Sequence, residues 1–391
     1  MIAIDEARLR LLAATPVTSV VELDLVAAVG AFAAADVTAS HAHPLFDMSA
    51  VDGYAFAFGG DAWRVTGSLA AGEVLPYPLR PGEAVRIFTG AMVPAGADTV
   101  VMQEFAVRTG DAMHHTDERL RAGSNVRRRA EQVRVGDLLV HRGERITAAH
   151  VGLLAGVGIE RIAVHEGPKV VLVRTGGEFI IPGAPVEGRI FSSNERMLEA
   201  ALREDAHHLA GPPLTVHDDP KAMRDAFAAA MEHGGLVIST GGVSVGDHDL
   251  VAPVLRDLGA DILFHGVRQK PGKPMLAARR DRSLVVALPG NPRAVLVAWH
   301  AYVRPMLAAM QGALHPWPPS ETLPLAAPVR WKGGRVDLRA GQLRNGQVHL
   351  LPDEGSHMLL GMCAAEVLVE LPETGGELAA GAQVTVHYLA R

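Results

Sequence analysis

Val170-Val171-Leu172-Val173-Arg174-Thr175-Gly176-Gly177-Glu178 decides the fold. Four consecutive β-branched or leucine residues without polar alternation describe a strand buried on both faces, as in a parallel sheet covered by helices. Outward from it, residues 197–202 are helical and 214–217 extended. Met223, Phe227 and Met231 then place an apolar stripe at i, i+4, i+8. Asp219 followed by Pro220 supplies an N-cap and a proline at N1, where a missing amide costs little. A strand at 236–239, a helix near 250–258, a strand at 284–288 and a long helix near 294–310 continue the alternation. This order predicts a parallel sheet covered on both faces, with ligands bound outside the carboxyl ends of its strands.

Five polar clusters fall at those strand ends: 175–178, 218–219, 239–249, 270–274 and 289–292. If the topology holds, all five converge on one rim. Glycine turns there expose backbone amides, and helix N-termini favour anions, an environment suited to phosphate or a molybdate-like oxyanion. Glu178, Asp218 and Asp249 offer the carboxylate oxygens that magnesium prefers. Lys270 and Lys273 neutralise phosphate oxygen as point charges. The plainer readings make Asp219 a helix cap and let Asp247 satisfy the glycine-rich turn.

Neither GxGxxG after the first strand nor GxxxxGK[ST] occurs, so a dinucleotide fingerprint and a Walker loop are excluded. His41 with His43, and His207 with His208, lack the remaining ligands of a zinc site. Ser239 and Ser244 lack the GxSxG elbow.

The 391 residues are enough chain for two to four domains. A net charge of −6 and a pI near 6.3 give no broad footprint for nucleic acid or an anionic membrane. The basic run 127–129 remains a candidate local anion pocket. Aromatics make up only 5% against 48% hydrophobic residues, so the core is built from Ala, Val and Leu. The single cysteine, Cys363, excludes an internal disulfide and reads as a small buried hydrophobe in an apolar stretch. The first ten residues lack the order of a signal peptide, and no run reaches the roughly 18 apolar residues of a membrane span. The expected location is cytoplasmic.

Residues 4–13 read as a helix ending before Pro16, 20–25 as a strand, and the alanine-rich 27–35 as helical. From 44 to 129 short extended pieces at 65–67, 84–88 and 98–104 form a small β-rich domain. Residues 137–149 resume with partly helical sequence, a break and return that an insertion into a first domain would produce, two sequential domains being the alternative. Residues 317–319 and Pro324 read as a stiff linker. Beyond it, strand-like runs at 325–329, 335–339, 347–351, 366–371 and 383–389 make a small all-β domain.

Upstream, the loop at 46–55 combines two acids with small residues and aromatics. With 87–91 and 100–104 it reads either as the cap of a cleft that recognises a heterocycle or as turns and domain packing. The motifs FDMSAVDGYA at 46–55, IFTGAMVPAGADTVVMQE at 87–104, STGGVSVGDHD at 239–249, KPGKP at 270–274, LPGNP at 288–292 and GSHML at 355–359 occur in order along the chain. Together they resemble the molybdopterin molybdenumtransferase family over essentially the whole sequence.

The resemblance implies a multidomain α/β protein with a central parallel-sheet molybdopterin-binding domain, an inserted β-rich domain and a C-terminal all-β domain. The expected divisions are 1–43 with 135–167, 44–134, 168–313 and 320–391. It further implies insertion of molybdenum from molybdate into adenylylated molybdopterin with release of AMP, using Mg²⁺, in an elongated homodimer. Site roles carry over to Asp52, Thr89, Glu178, Asp218, Asp249, Lys270, Lys273, Arg339 and Ser356, with Pro289 and Pro292 shaping the central loop. Glu178, Asp218 and Asp249 would organise the metal and Lys270 the anhydride or molybdate. Asp52 and Thr89 would complete the pocket from the inserted domain. Transient contact with the adenylylating enzyme or with cofactor acceptors is a further implied partnership. Two positions depart from the family pattern: Gly177 stands for the first acid of TGDEL, and Gly266 for a common lysine. The alternatives are a weakly catalytic or non-catalytic molybdopterin-binding scaffold, and a related nucleotidyl-transfer enzyme acting on another heterocycle.

Overall fold

The computed structural model describes residues 1–389 except 181–182, 206, 218, 233–234, 244–249 and 353–354. Its centre is a six-stranded sheet in the order Leu214–Val216, Val170–Thr175, Gly235–Thr240, Ser283–Leu288, Leu276–Arg280, Asp261–His265. The first four strands run parallel, and Leu276–Arg280 runs antiparallel to both its neighbours. That antiparallel strand was not legible in Leu-Ala-Ala-Arg-Arg, which has low intrinsic strand preference. The tight turn through Asp281, at φ 53°, folds it against Ser283–Leu288.

Alternation along the strands sends side chains to two cores. Val170, Leu172, Leu236, Ile238, Leu284 and Val286 pack beneath the helices Ile4–Ala14 and Asn194–Glu204 and the helical run 292–310. Val171, Val173, Val237 and Val285 face Pro220–Glu232 and Val251–Asp257. The stripe Met223, Phe227, Met231 is buried in that second core. Each such side chain contributes about 1.5–3 kcal/mol of burial. Asp219 caps its helix as expected, with Oδ2 accepting from the Ala222 amide at 2.7 Å. The long C-terminal helix is continuous from Pro292 to Met310 but contains a π-helical turn at Trp299–Val303, where the Arg304 amide reaches the Trp299 carbonyl. Pro305, which has no amide to give, follows at once.

Val20–Asp24 pairs with Arg161–His165, Val37–Thr38 with Leu138–Val140, and His43 bridges Val133. The chain therefore leaves and re-enters this region at one point, which makes the β-rich domain an insertion. Inside it, strands Thr99–Met102, Gly53–Phe56, Glu83–Ile87, Trp63–Leu69, Ala112–His115 and Ala106–Thr109 form one sheet in that order. The C-terminal sheet runs Gln269–Lys270, Val336–Arg344, Val367–Leu371, Gln383–Tyr388, Ser320–Pro324. Its first strand comes from the central domain and joins the two domains through backbone pairing. Leu338, Ala340 and Leu368 enter the first core beside Trp299 and Tyr302.

Four expectations are corrected. Residues 27–35 are turns and isolated bridges, because Gly30 sits at φ 89° and the amides of Ala33 and Ala34 pair with the carbonyls of Glu144 and Ala163. Tertiary pairing there overrides alanine's helix preference. The helical part of 137–149 begins only at Ala148, after the strand Leu138–Val140. Its start is fixed by Thr147, whose side chain exchanges bonds with His150 in a capping box. The strand expected at 325–329 lies instead at Ser320–Pro324, on the sheet edge, where a proline ends it without losing a ladder bond. Cys363 is exposed, because Met362 takes the inward position of the short 3₁₀ turn Met362–Ala364.

Candidate active site

The ends of the central parallel strands bring the described residues of 175–178, 241–243 and 289–292 to one rim. Gly241 and Gly242 turn at φ 82° and 64° directly over Thr175. A Cβ on Gly241 would stand 2.8 Å from the Thr175 carbonyl oxygen, so only glycine fits this crossing. Gly290 lies against Gly241, and the Asn194 side chain donates to the Gly290 carbonyl at 2.8 Å. Pro289 is buried, and Pro292 opens the helix Pro292–Ala298 at its first turn. Glu178 is exposed just beyond Val170–Thr175, and its carbonyl accepts from the Ile190 amide at 3.0 Å. Arg189 donates to the Gly177 carbonyl. Arg174 is paired with Glu195 at 2.7 Å and lies 5.0 Å over the Phe179 ring.

The 270–274 loop reaches the same rim from the far side of the sheet. It is anchored by Gln269, fully buried, whose amide nitrogen donates to the Pro271 carbonyl at 3.0 Å and whose oxygen accepts from Tyr302. Burial pushes the Tyr302 phenol well above its ordinary range, so it acts there as a fixed donor. Lys273 is half-buried, and its carbonyl accepts from the Val267 amide. Lys270 is half-exposed, with Nζ 3.7 Å from Asp337 Oδ2. Arg339 donates to the same oxygen from Nε at 3.1 Å and Nη2 at 2.9 Å. Arg293 is buried nearby. Desolvation lowers its pKa from the ordinary guanidinium value, and the charge of Asp337 opposes that shift.

Ser356 meets this group from the C-terminal domain, its Oγ accepting from Asn291 Nδ2 at 2.7 Å. Lys270, Arg339, Ser356 and the 289–292 loop therefore line the junction of the central and C-terminal domains. Asp52 and Thr89 form a separate pair in the inserted domain. Asp52 Oδ1 accepts from the Thr89 amide at 2.8 Å and from its hydroxyl at 2.7 Å, and these bonds hold its carboxyl below the usual range. No hydrogen bond or ion pair among the described residues links that pair to the central rim. Asp218 and Asp249 lie outside the described residues. Of the three expected metal ligands, Glu178 is therefore the described one. It presents an exposed oxygen donor at the rim, the donor type that magnesium takes. The basic run at 127–129 is engaged locally: Arg128 pairs with Asp47 at 2.8 Å, and the Arg129 amide donates to that carboxylate.

Sequence reasoning missed Asp337, Arg293, Asn194 and the bonding role of Asn291. Asp337 had a signal, since it stands two residues before Arg339 and so shares its strand face. Gly177 and Gly266 lie beyond strands four places apart in the sheet, roughly 19 Å at about 4.8 Å per spacing.

This arrangement has known counterparts. The MoeA N-terminal region (domains I and II) matches residues 2–158, a probable molybdopterin binding domain matches 167–309, and the MoeA C-terminal region (domain IV) matches 322–389. A molybdopterin molybdenumtransferase of Haemophilus influenzae is 31% identical over 99% of this chain and 98% of its own length. A molybdopterin molybdenumtransferase 2 of Mycobacterium tuberculosis is 32% identical over 94% of each chain. The crystal structure of a molybdopterin biosynthesis MoeA protein from Pyrococcus horikoshii superposes with a TM-score of 0.83 at 25% identity, covering 99% of this chain and all of that one. With near-complete coverage, three matching regions in the same order and the same fold, this chain belongs to the molybdopterin molybdenumtransferase family.

Proposed function

We propose that the protein inserts molybdenum from molybdate into adenylylated molybdopterin, releasing AMP, in a Mg²⁺-dependent reaction carried out by a cytoplasmic homodimer. The observation that carries this reading is the junction where Lys270, Arg339, Ser356 and the 289–292 loop meet beside the glycine-lined rim. Both substrates are anions, and fixed cations beside exposed backbone amides favour them. Lys270 and Arg339 hold the phosphoanhydride or molybdate, Lys273 adds charge from the same loop, and Ser356 offers a hydroxyl from the opposite wall. Pro289 and Pro292 fix the loop between them. Glu178, Asp218 and Asp249 hold Mg²⁺, which when bound offsets charge on the leaving AMP. Asp52 and Thr89 complete the pocket from the inserted domain of the second subunit.

In this reading the chain divides into 1–43 with 135–167, 44–134, 168–313 and 320–391. The helix Ile4–Ala14 is the exception, since it packs in the central core. The product passes by transient contact to cofactor acceptors, as the substrate arrives from the adenylylating enzyme.

Incubation of the purified protein with adenylylated molybdopterin, molybdate and Mg²⁺, with separate assays for AMP and active molybdenum cofactor, tests the reaction. Both products support insertion. AMP alone reduces it to anhydride cleavage, binding with neither product makes the protein a scaffold, and ATP-dependent production of the adenylylated substrate makes it a nucleotidyl-transfer enzyme. Equilibrium sedimentation at low concentration tests the dimer, and a stable active monomer overturns the shared pocket.

A further inference from the structure

We propose that Asp337 is a positioning residue that sets the places of Lys270 and Arg339 across the junction of the central and C-terminal domains. The inference rests on the reaction proposed above, and it concerns a residue to which that reading gives no role.

Asp337 is 2% exposed, although it lies among long cationic side chains. A carboxylate is rarely buried without partners, and here the partners are the two cations of the candidate site. Arg339 contributes two N–H groups to Oδ2, at 3.1 and 2.9 Å, and the Lys270 ammonium stands 3.7 Å from the same oxygen. The placement is set by backbone as well as by charge. Gln269–Lys270 pairs in parallel with Val336–Arg344, and Lys270 is the register partner of Asp337 itself. Arg339 follows on the same face of that strand two residues later. One carboxylate therefore fixes a lysine from the central domain against an arginine from the C-terminal domain.

The other carboxylate oxygen, Oδ1, is buried and accepts no hydrogen bond among the described residues. A buried acceptor left in that state is costly, and the opposing charges offset the cost only while both cations keep their places. A surface ion pair that merely clasped two domains would carry no such penalty. The arrangement suits a pair of cations held at a set separation before an anhydride or oxyanion arrives, so that less reorganisation is left for the reaction.

The test uses the full-length protein with Asp337→Asn, Asp337→Glu, Lys270→Gln and the double variant Asp337→Asn with Lys270→Gln. Two readouts are taken per folded protein: kcat and KM for AMP release, and pyrophosphate binding by calorimetry, which needs no turnover. Misplacement of a reacting group by an ångström costs up to about 100-fold, so Asp337→Asn should lower kcat about 30-fold. Because it also removes a negative charge beside the cations, it should tighten pyrophosphate binding by about threefold. Asp337→Glu keeps the charge but moves it by one methylene, so pyrophosphate binding should stay level while kcat falls by about fivefold to tenfold. The double variant should lose less kcat than the product of the two single losses, because part of the Asp337 effect acts through Lys270 and the rest through Arg339.

A kcat within twofold of the parent in Asp337→Asn, with unchanged pyrophosphate binding, overturns the proposal. So do kcat losses in the two single variants that multiply in the double. If Asp337→Asn does not fold, Asp337→Glu decides by its split between kcat and binding. A parent protein that releases no AMP and forms no cofactor would sink the proposed reaction, while the calorimetric comparison would still judge Asp337.

Discussion

Thr89 donates to one oxygen of Asp52 twice, from its amide at 2.8 Å and from its hydroxyl at 2.7 Å. The two residues stand at the ends of different strands of the inserted sheet, and Arg86, held between the rings of Tyr54 and Phe88, lies close enough to favour the ionised carboxyl. A carboxylate fixed by a neighbour in this way presents its second oxygen outward in one direction.

Asp52 and Thr89 should therefore behave as one unit. Thr89→Val is expected to lower cofactor formation by most of the loss seen with Asp52→Ala, and the double variant should be no worse than Asp52→Ala. Initial rates of AMP release for the three variants check this. Losses that multiply would mean that each side chain makes its own contact with substrate.

Asn194 is 4% exposed and holds the Gly290 carbonyl at 2.8 Å. Asn194→Ala removes that part-buried bond, with an expected loss of about 0.5–1.5 kcal/mol. Because the bond fixes the 289–292 loop, the variant should also lose activity at temperatures where it is fully folded. Urea unfolding and rate measurements on one sample separate the two effects. Parent-like stability would show that the loop is held by other contacts.

Gly177 and Gly266 should not couple. Gly266 lies at φ 86°, and a Cβ there would stand 2.9 Å from the Met1 side chain, so Gly266→Lys is strained and should destabilise. Among the described residues the nearest atom to a Cβ at Gly177 is His217 Nδ1, at 3.5 Å, so Gly177→Asp should fold normally. At roughly 19 Å apart, with strands between them, the two changes should be additive in a double-mutant cycle within about 0.5 kcal/mol. A larger interaction energy would place both on one pocket after all.

His300 should make stability depend on pH. Burial, with a smaller push from Arg304, lowers its imidazole to about 4, against 6.5 for the free group. His207 is lowered in the same direction, again chiefly by burial. The unfolded chain thus takes up protons below pH 6.5 that the folded protein refuses until about 4. Stability from this source is complete above pH 6.5 and is lost as the pH falls toward 4, by up to about 3 kcal/mol for His300. Denaturant unfolding at pH 7 and pH 4.5 measures the slope. His300→Leu removes an imidazole whose Nδ1 is buried without a partner among the described residues, so it should flatten the slope. A parent-like slope in that variant would assign the dependence elsewhere.

The sequence by itself determined the features that depend on near neighbours. The run at 170–173, the stripe Met223, Phe227, Met231 and the Asp219-Pro220 cap are read correctly because periodicity and capping act within one or two turns of chain. The rim loops at 175–178, 241–243 and 289–292 were legible for the same reason, since each follows a strand whose end its own turn residues mark. The ordered motifs identified the family over the whole length.

Tertiary structure alone decided what depends on pairing between distant segments. Residues 27–35 carry a helical composition, yet backbone bonds to Glu144 and Ala163 hold them in turns and isolated bridges. Leu276–Arg280 is a strand because Ser283–Leu288 and Asp261–His265 pair with it on either side. Lys270 and Arg339 were both singled out, but the carboxylate between them was not, because Asp337 meets Lys270 through a strand register that joins two domains. Hydrophobic pattern specifies which face of a segment is buried; it does not specify which remote strand will present its polar groups opposite, and the candidate site is made of those meetings.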